Sequence, residues 1–558
     1  MEKLKRLRFF FLGLLLTLAL TWPLFKSGYF THHDDVQVIR LYELDKCIRD
    51  FQIPCRWVPD LGGLYGYPLF NYYAPLPYYF GETFYLISGS LPISVKIMFG
   101  FAFLGSFIFM YLFAARLWKS KLAGAISGVF YAYAPYHAVD FYVRGAMGEM
   151  WALMLIPAVF WSSLRLFESK KLKYLLLNAL FLALLAASHN LSLMMFLPFI
   201  LGFGVLLTLK NKDKKTFLRF LFSILLGLAL AAFYLLPAYF EKNLAHIDTT
   251  TMGYFSYTEH FKGLRKLLVE RMWGWGASVR EVPGGEKDGM SFQIGWAHLA
   301  GLVLALAGLA ANFKKPLFKK YFWEIVFLLF ALEIGIFMIH PDSLFVWKAI
   351  SPLKYLQFPW RFLLLVIFSV SVISGSVVLC LKRSWLKLVI GLVLIAGVVA
   401  LNFSYFRPEK FLEITQEQML SGVNWDKQIK RSIFDYLPIY AKAPPAELAD
   451  FNYKINSGEE DISNFQKGSN WFSFDSDIRT SATITVAQYY FPNWEVKIDK
   501  VRVPIDYNND LGLISFRIES GSHSITAKLY NTPLRTFANL LTVFSALVFF
   551  CITFAKKK

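Results

Sequence analysis

Long apolar stretches recur along this chain, each close to the roughly 20 residues needed to cross a bilayer. VISGSVVLC (372–380) lies inside one of them. No other feature constrains the fold so tightly. A backbone surrounded by hydrocarbon has no water to bond, so a crossing segment must satisfy its own N–H and C=O groups, which it does as a helix. Composition agrees: 56% of residues are hydrophobic and 17% charged, against about 45–50% and about 25% in soluble domains. The expectation is a polytopic α-helical membrane protein. Twelve spans can be placed, at 9–26, 92–115, 121–136, 147–167, 172–188, 191–209, 217–240, 292–311, 322–340, 361–381, 385–405 and 535–555. The first follows the basic stretch MEKLKRLR, and TWPLFKSGYF supplies no small-x-small cleavage site, so it reads as an uncleaved anchor.

The net charge of +19 would suit a nucleic-acid partner if it formed a stripe. Instead the basic residues fill short turns between apolar runs: RLWKSK (116–121), ESKKLK (168–173), KNKDKK (210–215), FKKPLFKK (313–320) and LKRSWLK (381–387). With twelve spans these turns share one side with both termini. The positive-inside rule makes that side cytoplasmic and excludes the nucleic-acid reading. The opposite side receives the first loop (27–91), a loop at 241–290, the segment 341–360 and the block 406–534. Lys348 and Lys354 in 341–360 strain the rule, and that segment is expected along the interface.

In the first loop, Leu41, Leu44, Ile48 and Phe51 recur at helical spacing opposite Arg40, Glu43, Lys46, Arg49 and Asp50. This predicts an amphipathic helix flat on the membrane surface. GGLYGYPLFNYYAPLPYYF (62–80) predicts an aromatic interfacial loop. Cys47 and Cys55 stand as either a disulfide or free thiols. From 470 to 534, short alternating runs separated by turn residues predict an extracytoplasmic β-sandwich-like domain. A final span and basic tail occupy 535–558. Trp471 and Trp494 are open to two readings, sugar stacking or β-domain core.

Polar residues gather at one level. Asp34 and Asp35 follow span one in FTHHDDVQVIR (30–40). His137, Asp140, Arg144 and Glu149 surround the start of span four, His189 and Asn190 occupy a turn, and Arg361 caps span ten. An arginine offers a planar fork of donors to a lipid phosphate, and Arg144 or Arg361 fits that task. A carboxylate such as Asp34 can take a proton from an acceptor hydroxyl. Bland readings compete: helix capping and solvated surface for the paired acids, a structural ion pair for Arg144 and Glu149, a satisfied turn residue for His189. Neighbouring His and Asp also leave a divalent metal open, with no certain cofactor. Glu333 sits deeper, within an apolar run, where an acid is a functional candidate or the partner of a nearby helix.

The motifs resemble a known family. They are His33-Asp34 after span one, RWVPDLGGLYGYPLFNYYAPLPYY (56–79), VRGAMGE (143–149), ASHNLS (187–192), LQFPWRFLL (356–364) and YYFPNWEVKID (489–499). Together they look like the bacterial membrane proteins labelled 6-pyruvoyl-tetrahydropterin synthase-related and are similar to YfhO-like proteins. Nothing in the residues suggests pterin chemistry. Both families resemble the GT-C glycosyltransferases, which use polyprenyl-phosphate sugars and carry an acidic motif in the first extracytoplasmic loop. The resemblance implies a GT-C-like transmembrane domain over 1–405, with Asp34 as the catalytic aspartate and Asp35 as the second candidate acid. It implies a multi-pass plasma-membrane glycosyltransferase that moves a sugar from a polyprenyl-phosphate donor to a glycan, lipid or protein acceptor. Arg144 would be the phosphate contact and Arg361 its alternate; Glu149 would join the catalytic acids, and His33 and His189 would bind substrate. The rivals are a lipid or glycan transporter or flippase, expected to carry midplane polar groups and repeated halves, and a non-catalytic cell-envelope assembly protein.

Overall fold

The structure is a computed structural model, and it describes residues 2–280, 282, 284–431, 435–458 and 460–554. The basic tail Lys556–Lys558 lies outside the described residues. Each of the twelve expected spans falls on a helix, but length and composition qualify fewer. Seven helices are long and apolar enough to cross a membrane, or eight when the bent pair Lys214–Leu230 and Ala232–Phe240 counts as one. Arg8–Ala19, Leu172–Ser188 and Trp296–Ala311 are apolar but shorter, and Lys121–Ala132 has only 12 residues. The first helix stops at Ala19 rather than 26, because Pro23 opens a separate 3₁₀ turn at Trp22–Phe25.

Prolines inside helices are put to use. Pro157 lacks an N–H and so leaves Leu153 O without its i+4 donor; the Tyr131 hydroxyl donates to it at 2.9 Å. Pro237 likewise frees Phe233 O, which accepts from Arg56 Nη2 at 2.9 Å. The second case ties the first loop to a helix that bends by 73° from its predecessor.

The two ends of the helical bundle differ in chemistry. At one end the basic turns meet: Arg116 pairs with Glu168, Lys170 with Asp213 at 2.7 Å, and Lys210 with Glu324. At the other end the long loops knit together. Strand β1 (Tyr29–Phe30) pairs antiparallel with β2 (Phe411–Leu412), His246 N–H donates to Leu437 O at 2.9 Å, and Tyr489 N–H donates to Tyr65 O at 2.8 Å.

The C-terminal β region comprises β3 (Tyr453–Ser457), β4 (Glu460–Lys467), β5 (Trp471–Ile478), β6 (Ala482–Tyr489), β7 (Trp494–Ile498), β8 (Val501–Val503), β9 (Leu513–Ile518) and β10 (Gly521–Leu529). They form two antiparallel sheets, ordered β4-β5-β10-β7-β8 and β3-β6-β9. Phe474 of one sheet meets Phe516 of the other at a ring separation of 6.4 Å, so the inward side chains of the alternating pattern form a shared core. Trp494 belongs to that core, 3% exposed and edge-on to Trp57 of the first loop at 6.1 Å; it has no open face for a sugar.

Two expectations change. The helix Gln37–Arg49 does not lie on a membrane surface: Arg40, Leu41, Glu43, Leu44 and Asp45 are all buried. Most of its polar face is covered by protein, with Lys46 paired to Asp60 and only Arg49 of the helix exposed. Glu333 is exposed on the outside of its helix and pairs with no neighbouring span among the described residues. Cys47 and Cys55 form a disulfide, which closes the loop behind that helix.

Candidate functional site

A cavity of about 1150 Å³ opens where the loop end meets the bundle. His33, Asp34, Arg144, Glu149, His189 and Arg361 all line it, and Asp35 does not. Of the two candidate acids, Asp34 therefore faces the cavity. Its position is set by the backbone. His33 N–H donates to Val143 O and Asp34 N–H to Arg144 O, both at 2.8 Å, so the first loop is stitched to the segment carrying the arginine. Gly145, at φ +66°, makes this approach possible; a Cβ there would meet the His32 ring at 2.4 Å.

Arg144 ends a π-helical turn, Val139–Arg144, the kind of local widening often found at functional sites. It pairs with Asp140 and, at 2.9 Å, with Glu149 Oε2. Arg361 Nε reaches the same Glu149 oxygen at 3.2 Å, and the Tyr136 hydroxyl donates to Oε1 at 2.5 Å. Arg144 also stacks over the Trp360 ring at 4.7 Å. Glu149 is thus the hub that holds two guanidinium groups at the cavity wall, a structural and a positioning part at once. Burial, with Glu149 adding to it, drives the Asp140 carboxyl well above the usual carboxylate range, against Arg144 and Arg361.

His189 caps the helix Asn190–Asn211: its Nδ1 accepts from the Ser192 N–H at 3.2 Å. That fixes Nε2 as the protonated nitrogen of the neutral ring. Burial pushes the imidazole down to about 3, with Arg361 and Arg144 adding to the effect and Glu149 opposing it. Gly148 lets this turn come close, since a Cβ there would sit 2.6 Å from Ser188 O. His33 faces the cavity with Nε2 held 2.8 Å from Trp275 O of the 241–290 loop.

Several lining residues carried no sequence signal. Arg40 looked like one polar position of a surface helix; it is 5% exposed, lies over the Tyr73 ring at 4.1 Å, and its Nε and Nη1 have no hydrogen-bond partner. Asp435 reaches the cavity from the 406–534 block. Burial raises its carboxyl to about 6; nearby Asp34 adds to this and Arg40 opposes it. Lys354, awkward for the charge rule, lines the cavity and lies 3.5 Å from Asp248. His137 is buried against the Phe103 ring and Tyr131 O, away from the cavity lining. One wall is apolar, built by Leu191 and Met194 from one helix and Leu235 and Ala238 from the bent one. Tyr239, 64% exposed, stands where that wall meets the outer surface. No group of three or more metal-ligating side chains occurs among the described residues.

Residues 70–408 match the model of a family described as 6-pyruvoyl-tetrahydropterin synthase related domain, membrane protein. An uncharacterized protein of Lactococcus lactis subsp. cremoris (strain MG1363) is 24% identical over 238 residues, 41% of this chain and 39% of that protein. Among solved structures, arabinofuranosyltransferase AftD from Mycobacteria is 14% identical with a TM-score of 0.49, covering 74% of this chain and 28% of that one. Archaeal oligosaccharyltransferase AglB from Archaeoglobus fulgidus, solved with an inhibitory peptide and a dolichol-phosphate, is 13% identical with a TM-score of 0.42, covering 73% and 56%.

Proposed function

The chain belongs to the 6-pyruvoyl-tetrahydropterin synthase-related family of membrane proteins, and from that premise we propose that it is a glycosyltransferase of GT-C type. It transfers a sugar from a polyprenyl-phosphate donor to an acceptor hydroxyl outside the cytoplasm. One observation carries the reading: a single cavity joins an exposed carboxylate, Asp34, to buried guanidinium groups and an apolar wall. A prenyl chain suits the wall of Leu191, Met194, Leu235 and Ala238, and its phosphate suits the arginines. Arg144 and Arg361 are neutralised in part by Glu149, whereas Arg40 lines the same cavity with no ion pair to a carboxylate among the described residues. Arg40 therefore takes the direct phosphate contact and the other two supply a fixed positive field. His189 offers its Nε2–H to a sugar or phosphate oxygen.

In the transfer, Asp34 accepts the acceptor's hydroxyl proton as the acceptor oxygen bonds to the anomeric carbon. The bond from that carbon to the phosphate oxygen breaks, its electron pair leaving with the polyprenyl phosphate. Acid and phosphate contacts in one cavity hold the two substrates in line, which makes the transfer effectively intramolecular. The sidedness rests on the basic turns, which suit the cytoplasmic face of the plasma membrane, and on the disulfide at the loop end, which suits an oxidising compartment.

The test is transfer from labelled polyprenyl-phosphate sugars by purified protein, wild type against Asp34→Asn. Asp34 is exposed, so the variant should fold normally yet lose about 10²–10⁴-fold in rate. Unchanged transfer would remove Asp34 from the mechanism. Failure of every lipid-linked donor to bind would favour the transporter reading instead.

A further inference from the structure

A second cavity, of about 230 Å³, lies between the 50–56 stretch of the first loop, the ends of β5 and β10, and the start of the last helix, Pro533–Phe554. Arg56, Arg535, Lys528 and Asp50 line it. Its charges do not balance. Arg535 Nε donates to Glu241 Oε2 at 2.8 Å, and that carboxylate also receives Thr532 Oγ1 at 2.6 Å and Asn71 Nδ2 at 3.0 Å. Arg56 has only neutral acceptors among the described residues: Asn71 Oδ1 at 3.3 Å, and Phe233 O and Asn539 Oδ1 at 2.9 Å. Two guanidinium groups, 5% and 1% exposed, therefore share one carboxylate. Arg56 Nε and Arg535 Nη2 are both buried without a hydrogen-bond partner. Burial and the Arg535 charge push Arg56 down to about 10, with Glu241 opposing. Lys528 adds an exposed cation at the edge, and Asp50 accepts from the Ser469 N–H, so three basic groups stand against two carboxylates, Asp50 and Glu241.

A buried cation with no counter-charge is costly, and an anion relieves that cost. The surroundings indicate which kind. Phe51 and Ile53, in the loop that lines the cavity, are 89% and 68% exposed. Phe537 and Leu540 are 58% and 63% exposed on the adjoining first turns of the last helix. Apolar side chains displayed beside a spanning helix end sit at the depth of lipid headgroups.

We propose that this cavity is a binding site for a phosphate ester, occupied by the headgroup of an anionic phospholipid from the surrounding leaflet. Phe51 and Ile53 enter the acyl region while Arg56, Arg535 and Lys528 hold the phosphate. The site pins the first loop and the β region to the last helix. It is separate from the large cavity and independent of the reaction proposed there.

Full-length protein in phosphatidylcholine nanodiscs tests this in two arms, one with phosphatidylglycerol in the bilayer and one with inorganic phosphate at constant ionic strength. Retained lipid is counted by native mass spectrometry, and phosphate affinity is measured by titration. The expected result is selective retention of phosphatidylglycerol that weakens about tenfold or more in Arg56→Gln and falls also in Lys528→Glu. Lys528 is exposed, so its variant keeps the test valid if Arg56→Gln does not fold. Equal retention in wild type and Lys528→Glu, or no retention of phosphatidylglycerol and no phosphate binding, overturns the site. Phosphate binding without lipid retention overturns the lipid as its source.

Discussion

Asp435 shows how a single side chain sets a pH response. Its carboxyl titrates near 6 in the folded protein, against about 3.9 in an unfolded chain. Between those values the native state binds the extra proton, so this group's contribution to stability falls as pH rises from about 4 to about 6 and is constant above. Under the proposed function, ionisation also places a second negative charge beside Asp34, facing the phosphate. Donor-lipid affinity is expected to decline as pH rises through about 6, and Asp435→Asn to flatten that decline. A binding titration across that range checks both. Glu149 makes a different case. Removing it as Glu149→Ala leaves Arg144 and Arg361 buried without their shared counter-charge, which should cost about 3–5 kcal/mol and lower the thermal unfolding midpoint measurably in detergent. A comparable loss of stability in Asp34→Ala would contradict the distinction drawn between an exposed reacting acid and a buried holding one.

At the scale of elements, the site depends on segments far apart in sequence that dock by backbone bonds. Residues 33–34 pair with 143–144, and 29–30 with 411–412. The helix Gln37–Arg49 presents Arg40 to the cavity, and the disulfide Cys47–Cys55 ties the last turn of that helix to the loop that follows it. The disulfide closes a short loop, and its removal in Cys47→Ser/Cys55→Ser is expected to cost about 2–3 kcal/mol. Loss of donor binding at temperatures where the rest of the protein remains folded would register as a transition of its own. If the double variant unfolds in the same single step as wild type, with unchanged midpoint, the loop is held by packing alone.

Over the whole molecule, charge and chemistry separate along one axis. Basic turns close one end, while loops, disulfide, cavity and β sheets occupy the other. The expected orientation puts the β region outside the cell. Ser522 is exposed in β10, so Ser522→Cys should react with a membrane-impermeant thiol reagent in intact cells, while a cysteine at Lys171 should react only after lysis. The reverse labelling pattern would invert the topology and with it the proposed compartment of the reaction.

Much was legible in the sequence because its cause is local. Helices in a bilayer follow from apolar length, the common side of the turns from lysine and arginine, and the paired sheets from alternation in ATITVAQY and its neighbours. His33, Asp34, Arg144, Glu149, His189 and Arg361 could be named because charged or polar groups stand out beside apolar runs. Arg40 and Asp435 could not, since each looks solvated until other segments cover it: burial belongs to the packed chain, and a helix pattern alone cannot say whether its polar face meets water or protein. The choice of Asp34 over Asp35, the role of Glu149 as hub and the unbalanced charge of Arg56 likewise required the tertiary structure. Each depends on distances between residues more than a hundred positions apart, and one-dimensional spacing carries no record of them.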